Sequence, residues 1–490
     1  MRLPIPSPRE LVVVARPEAA WRLTHEGVTS LTGFDLAPLN ELLRAPEVSL
    51  LPLYGLSEER LRWRAETYTA ATGVVLPDLS PYYRLYAPDA LLDLLAQMLR
   101  RLPSVESAYV KPGAELPIWF SDIKPPAAPS PPGRPDHTAL QEYLDDAPQG
   151  IGARSAWKLP GGQGDGVRIV DVEYDWRFSH EDLKQDPGGV VGGTPANDIF
   201  LRNHGTAVLG MLGGDLNTFG VTGICPRADV LTVSAFEGPP GWGSGAALRR
   251  AAEVLQPGDI ILVELEYPGP RSNFQTQLDQ FGYIPAEWWP DNLNAILSAT
   301  RRGIIVVEAG GNGGVDLGES QGYDTPSSPP GPFPSGWHNP FRRDPIDSGA
   351  IIVGAGAASP FTPPDLSRLD FSNFDASNKV SIFDAQGWGN RVVTCGFGDL
   401  SGGDTTDEDI WYTGRFSGTS SAAPMVAGAL ACLQGILKAR GQAPLSPLEA
   451  RRLLRTTGSP QLDDPGSPAS NRIGNRPDLR QLIAALPPPP

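Results

Sequence analysis

An α/β fold with a mostly parallel central sheet, preceded by a small α+β unit, is the architecture this chain predicts. Three observations carry that expectation. From Val167 onward, short apolar runs alternate with helical stretches, the pattern of βαβ units whose sheet is covered on both faces. Ahead of residue 120 the order is strand, helix, strand, helix, strand, which suits helices laid on one side of a small antiparallel sheet. Between the two, Lys124 to Pro135 holds six prolines in twelve residues, an extended, semi-rigid linker and the clearest domain boundary.

Taken in order, residues 11–16 (Leu-Val-Val-Val-Ala-Arg) read as a strand, Leu36 to Arg44 as a short helix and Tyr82 to Tyr86 as a second strand. Pro88 and Asp89 then open a helix. Its Leu91, Leu92, Leu94, Leu95, Met98, Leu99 and Leu102 make a broad apolar face, and Glu106 to Val110 returns as a strand. Past the linker, strands are expected at Val167 to Val170, Ile260 to Leu265, Ile304 to Val307 and Ile351 to Val353, with helices at Ala246 to Leu255 and Trp288 to Arg301. Gly313 to Asp347, rich in Pro, Gly and Ser, reads as a long surface insertion. Ala422 to Leu437 reads as a buried helix, and Pro424, Gly428, Gln434 and Gly435 interrupt an apolar run already too short to span a bilayer. The divisions are residues 1–120, a linker at 121–138, a main domain at 139–485 and a proline tail at 486–490.

Composition is that of an ordinary globular protein, with 40% hydrophobic and 20% charged residues in 490, ample for a large core. The net charge is −16, and residues 1–120 hold 12 basic against 14 acidic groups, so −14 falls on the remainder. Such an acidic body argues against a nucleic-acid partner. Met1 to Glu10 has no apolar core of the length a secretory signal needs, and Pro4, Pro6 and Pro8 would break one. No Sec-type export is expected, which leaves the cytoplasm or a non-Sec route. Cys225, Cys395 and Cys432 are odd in number, lack metal-ligand spacing and read as buried free thiols.

The chemistry-bearing runs follow. In Phe416-Ser-Gly-Thr-Ser-Ser-Ala-Ala-Pro-Met-Val-Ala-Gly428, Ser420 stands at the mouth of a small-residue helix. The helix start aims unpaired N–H groups and partial positive charge at an oxyanion formed beside it. The preceding glycine lets the backbone lie close to a bound chain. Activating a serine takes a base, an acid that orients the base, and oxyanion donors. In Val167-Arg-Ile-Val-Asp-Val-Glu-Tyr174 the apolar strand ends in Asp171, at the strand end where an α/β sheet places functional groups. Asn203-His-Gly-Thr-Ala-Val-Leu-Gly210 puts His204 just before a small-residue helix, whereas His25, His137 and His338 lie in loop or linker sequence. Arg302-Gly-Ile-Ile-Val-Val-Glu-Ala-Gly-Gly-Asn312 brings a buried strand to a glycine turn ending in Asn312.

These four runs, in the order Asp–His–Asn–Ser, resemble the motifs of the subtilisin-like serine proteases (peptidase family S8). The Ser179-His-Glu-Asp-Leu183 run with His180 is similar to a non-catalytic feature of that family. Further resemblance lies in Tyr143-Leu to Gly150-Ile-Gly-Ala-Arg-Ser-Ala-Trp157, in Ser348 to Ala355 and in Ile473 to Leu479, so that it covers about residues 139–485. It implies the three-layer subtilisin-like fold and a serine endopeptidase acting on polypeptides. Ser420 would be the nucleophile, His204 the base, Asp171 the acid holding the imidazole, and Asn312 with the Ser420 N–H the oxyanion donors. A peptide ligase or cyclase using the same acyl-enzyme, and a non-catalytic binding module, are the alternatives. Leu102-Pro-Ser-Val-Glu-Ser-Ala-Tyr-Val110 looks like the closing part of the ferredoxin-like propeptide domain of this family. Residues 1–120 would then be an intramolecular inhibitor and folding aid, cut away at or before the proline linker. Residues 47–80 are longer than that pattern requires, and Trp21 to Ser30 has no counterpart in it.

Two departures bear on the substrate. Where the family has a Ser-Leu-Gly-Gly strand lining the cleft, this chain has Glu264-Leu-Glu-Tyr-Pro-Gly-Pro270. Proline cannot donate a ladder hydrogen bond, which puts extended substrate binding along that edge in question. Glu173 stands where the family prefers glycine, and with Glu264, Glu266 and Glu308 it would put four carboxylates at one end of the sheet. Such a group either reads a basic substrate side chain or forms a partly protonated structural network. Glu264, Glu266, Tyr267, Gly269, Glu308 and Gly310 are the candidate substrate-binding residues. Asp404, Asp407 and Asp409 are not assigned a metal, and no cofactor and no membrane partner are expected.

Overall fold

In the computed structural model the described residues are 8–119, 126–127, 129, 133–184, 188–236, 243–320, 322–326, 330–358, 364–377 and 381–488. Most of the proline linker, part of the 313–347 insertion and the last two residues of the tail lie outside them.

The central sheet has seven parallel strands, in the order Ala385–Trp388, Ile351–Gly356, Ile305–Ala309, Ile260–Val263, Arg168–Glu173, Asp229–Ser234 and Gly189–Gly192. Its inner strands are mostly apolar and largely buried because both faces are covered. Helices Ile199–Gly213 and Thr419–Ala439 pack together over the sheet, and Ser244–Glu253 and Pro290–Arg301 form the other helix layer. Helix Thr419–Ala439 is long and apolar enough to cross a membrane, yet all of its apolar window is buried in this core. Three strands of this sheet, at 189–192, 229–234 and 385–388, carry no apolar run long enough to stand out in the sequence. All three cysteines are buried and free.

Residues before 112 form a four-stranded antiparallel sheet in the order Ser49–Pro52, Tyr82–Tyr86, Glu10–Ala15, Val105–Lys111. Its two faces separate by the strand period of two. Leu11, Val13, Leu85 and Val110 close a local core with helix Leu92–Leu99. Val12, Val14, Tyr82 and Tyr109 instead join the core of the main body. Tyr109 stacks on Trp289 and meets the edge of Phe333. The segment 47–80, without assigned elements in the sequence reading, supplies strand Ser49–Pro52 and helix Glu58–Thr72, which starts at Ser57, whose hydroxyl accepts from Arg60 N–H, and ends at Gly73. Trp21–Thr24 and Gly27–Ser30 are a hairpin.

Buried charges fasten this unit to the body. The Lys111 ammonium bonds Asp291, lies 3.0 Å from Glu10 and donates to Ser244 Oγ at 3.2 Å. Burial alone would lower the Lys111 pKa, but Asp291 and Glu10 outweigh it and hold the ammonium charged. Tyr54 donates to the Asp291 carbonyl at 2.7 Å, and Arg249 donates to the Tyr54 carbonyl at 2.6 Å.

Candidate active site

The strand Arg168–Glu173 ends at the carboxyl edge of the sheet, and its period of two turns Asp171 and Glu173 to the same face. Opposite them, helix Ile199–Gly213 begins at Asp198, whose carboxylate accepts from the N–H groups of Phe200 (2.8 Å) and Leu201 (3.1 Å). That cap fixes the helix start, and His204 falls in the second turn. Gly205 is small by necessity, since a Cβ there would come 2.2 Å from the Asp175 carbonyl and 2.5 Å from the Trp176 ring.

His204 bridges two groups. Its Nε2 lies 2.8 Å from Ser420 Oγ and its Nδ1 lies 2.8 Å from Glu173 Oε2. All three residues are fully buried. Asp171, expected to hold the imidazole, does not: its Oδ2 accepts the indole N–H of Trp176 at 2.7 Å. The reason is one of reach. Glu173 is two residues further along the same strand face and has one more methylene, and its Oε2 is the oxygen that reaches the ring. The two carboxyls face each other, and burial raises both well above their ordinary range. Two adjacent buried acids cannot both ionise cheaply. Beyond burial, the neighbouring Glu173 pushes Asp171 further up, while the Trp176 indole N–H opposes it. Hydrogen bonds thus join Glu173 to His204 and His204 to Ser420, with Asp171 held on the Trp176 indole beside them. Burial pushes the His204 imidazole down to about 3, which keeps it neutral.

Asn312 lies beside the helix that Ser420 opens. Its Oδ1 accepts from the Thr419 N–H (2.9 Å) and Thr419 hydroxyl (3.1 Å), which orients Nδ2 as the outward donor. That donor bonds Gln280 Oε1 at 2.9 Å. Gln280, held at φ 55 in the left-handed region, also donates to the Leu116 carbonyl at 2.8 Å. No sequence signal marks it; it lies in an irregular polar loop.

The cleft is filled by the chain itself. Glu115 pairs antiparallel with Glu266 through two backbone hydrogen bonds of 2.9 Å each, so an extended chain does bind this edge despite Pro268. The Pro117 carbonyl accepts the Ser420 N–H at 3.0 Å. Beyond it, Ser417 Oγ donates to the Trp119 carbonyl at 3.1 Å, and the Trp119 ring stacks on Phe371 at 4.7 Å. Gly418 makes this approach possible: its φ is 98, and a Cβ there would sit 2.1 Å from the Pro117 oxygen.

The remaining candidates separate. Glu266 touches the bound segment by its backbone, while its carboxyl accepts the Asn312 N–H at 2.7 Å. The Glu264 carboxyl is buried with no hydrogen bond to either oxygen among the described residues, and burial, then Asp171 and Glu173, push it well above its ordinary range. Glu308 belongs to a different group, accepting the Glu287 N–H at 3.3 Å. Burial pushes all three of these acids well above their ordinary range. Tyr267 points away from Ser420, with its hydroxyl on Ser244 at 2.6 Å, and Gly269 bonds the Gly282 carbonyl within a hairpin. Gly310 is packed against Phe383 and the Val353 carbonyl. His180 is buried on the Trp411 carbonyl, and Asp409 is taken up by Arg177 and Ser179.

A parallel sheet carrying a serine, an imidazole and a carboxylate in hydrogen-bonded series at its carboxyl edge marks the class of α/β serine hydrolases. The model of the subtilase family matches residues 177–475, more than half of the chain, and the chain belongs to that family of serine endopeptidases. Among curated relatives, the major intracellular serine protease of Bacillus subtilis (strain 168) is 22% identical over 326 residues, covering 64% of this chain and 83% of its own. The intracellular serine protease of Paenibacillus polymyxa is 25% identical over 345 residues, covering 66% and 86%. Among solved structures, fervidolysin from Fervidobacterium pennivorans has TM-score 0.55 at 16% identity over all of this chain, which spans 63% of the fervidolysin chain. The epidermin leader peptide processing protease of Staphylococcus aureus has TM-score 0.54 at 16% identity, covering 98% of this chain and 100% of that one. The two structures share the fold.

Proposed function

We propose that this subtilase hydrolyses polypeptides with Ser420 as nucleophile and His204 as general base, and that it is made as a self-inhibited precursor. The observation that carries the reading is the His204 bridge between Glu173 and Ser420, with the Ser420 N–H already on a peptide carbonyl. Glu173, and not Asp171, takes the role of holding the imidazole. By accepting the Nδ1 proton it leaves the Nε2 lone pair on the serine hydroxyl. Asp171 stands beside Glu173 as a positioning residue, accepting the Trp176 indole N–H. Asn312 Nδ2 and the Ser420 N–H, at the start of a helix whose dipole favours negative charge, would hold the oxyanion.

Self-inhibition is supported by the segment 115–119, which leaves Ser420 and His204 no exposed surface. The unit before residue 112 anchors that segment through the buried charges around Lys111. A fluorophosphonate should label the wild-type chain at Ser420, and casein hydrolysis should fall on the order of 10⁶ in Ser420→Ala, the size seen when subtilisin loses the same group. Equal turnover by Ser420→Ala would overturn the assignment.

A further inference from the structure

We infer that Pro117–Ile118 is the bond this enzyme cuts in itself, and that it accordingly cleaves polypeptides on the carboxyl side of proline. The inference rests on the proposed endopeptidase reading and adds the bond and the residue it selects. Three contacts fix the register. Glu115 is laddered to Glu266, the Leu116 carbonyl is held by Gln280, and the Trp119 carbonyl is held by Ser417. Between them the one carbonyl on the Ser420 N–H is that of Pro117. Pro117 and Ile118 are both buried, so the bond is enclosed on each side of its carbonyl.

The proline itself has a physical role. The Ile118 N–H turns back to the Leu116 carbonyl at 2.8 Å, a three-residue turn centred on Pro117. An inverse turn of this kind needs a central φ of about −75°, and the proline ring locks φ near −65°. Any other residue at this position must be ordered into that shape. The missing N–H of proline costs nothing here, because the turn uses only its neighbours' groups.

The step balances with the groups present and water. Ser420 Oγ adds to the Pro117 carbonyl carbon while His204 Nε2 takes the hydroxyl proton. The C–N bond to Ile118 breaks as that proton passes to the Ile118 nitrogen, which leaves as an amine. Water then hydrolyses the Pro117 ester through the same imidazole, giving a Pro117 carboxylate and the free serine.

The test is N-terminal sequencing and intact mass of the purified full chain. Wild type should yield a fragment beginning at Ile118 and one ending at Pro117, and Ser420→Ala should stay uncut. A cut elsewhere, for example within 124–135, or no cut in a chain whose Ser420 still takes the fluorophosphonate, overturns this inference and leaves the endopeptidase reading standing. No cut and no labelling sinks both. For the preference, the processed enzyme is given a peptide of residues 113–121 and the same peptide with alanine for proline. Cleavage after proline should be favoured by about two- to fivefold in kcat/KM, the range for a proline preset to the bound backbone. Equal rates for the two peptides overturn the proline preference.

Discussion

Glu115 should make docking of the inhibitory segment depend on pH. In the docked chain its carboxyl accepts the Tyr283 hydroxyl at 2.8 Å. Burial nevertheless outweighs that bond and pushes it up from 4.5 to about 7. A released segment returns the carboxyl to water, where it titrates near 4.5. The docked state therefore binds the proton more tightly. Its stabilising contribution is complete below about pH 4.5 and is lost as pH rises through about 7. The difference between those values, at about 1.36 kcal/mol per pH unit, is about 3 kcal/mol, or a few hundredfold in the docking equilibrium. Glu115→Gln keeps the acceptor for Tyr283 and removes the titration. The assay is the rate of fluorophosphonate labelling of Ser420, taken as the ratio of wild type to Glu115→Gln at each pH. Taking the ratio cancels the titration of His204, which both proteins share. It should be only about fourfold at about pH 5 and rise to about 300-fold by about pH 8.5. A ratio that stays flat across this range would show that undocking does not involve Glu115, and the linkage argument would fall.

Glu173→Gln should lower kcat by about 10⁴, the cost of placing the imidazole in the wrong tautomer, while Asp171→Asn, which still accepts the Trp176 indole N–H, should lose less than about tenfold; peptide hydrolysis by the two variants decides the order, and the reverse order refutes the assignment. Asn312→Ala should cost roughly 10²–10³ in kcat with KM little changed, since it removes a donor needed only as charge develops. Lys111→Ala leaves Asp291 buried without its cation, Glu10 keeping Arg84, and the N-terminal unit should loosen by about 3–5 kcal/mol, read as earlier thermal release and faster proteolysis of residues before 112.

The central sheet was legible where its strands are buried on both faces, as at Ile260 to Leu265 and Ile304 to Val307, because an unbroken apolar run has few other uses. Strand Gly189–Gly192 was not, since it is a short, half-exposed edge strand with two glycines. Helix Glu58–Thr72 was hidden for a related reason. Only Glu58 and Leu61 of its fifteen residues are buried, so it carries almost no apolar stripe, although its Ser57 cap and Gly73 stop are ordinary boundary residues. Hairpin Trp21–Ser30 has a two-residue His-Glu turn in place of the glycine or asparagine that usually announces one.

The site shows the same limit at the scale of one side chain. Ser420, His204 and Asn312 stand in local runs whose glycines and helix starts already state a geometry, and they meet at one edge of the sheet. The identity of the acid was a matter of reach across space, which spacing along a strand leaves open. Asp171 and Glu173 share a face, so either could approach the imidazole, and the longer side chain does so while the shorter one accepts the Trp176 indole N–H. A glutamate in place of glycine at that position therefore does more than add charge. It brings a second carboxyl to the strand face and puts that one, and not Asp171, on the imidazole. The buried Glu264 carboxyl extends the same logic: burial and the neighbouring acids push each of these groups well above its ordinary range, so every carboxyl added at this sheet edge makes the charged form of the others costlier.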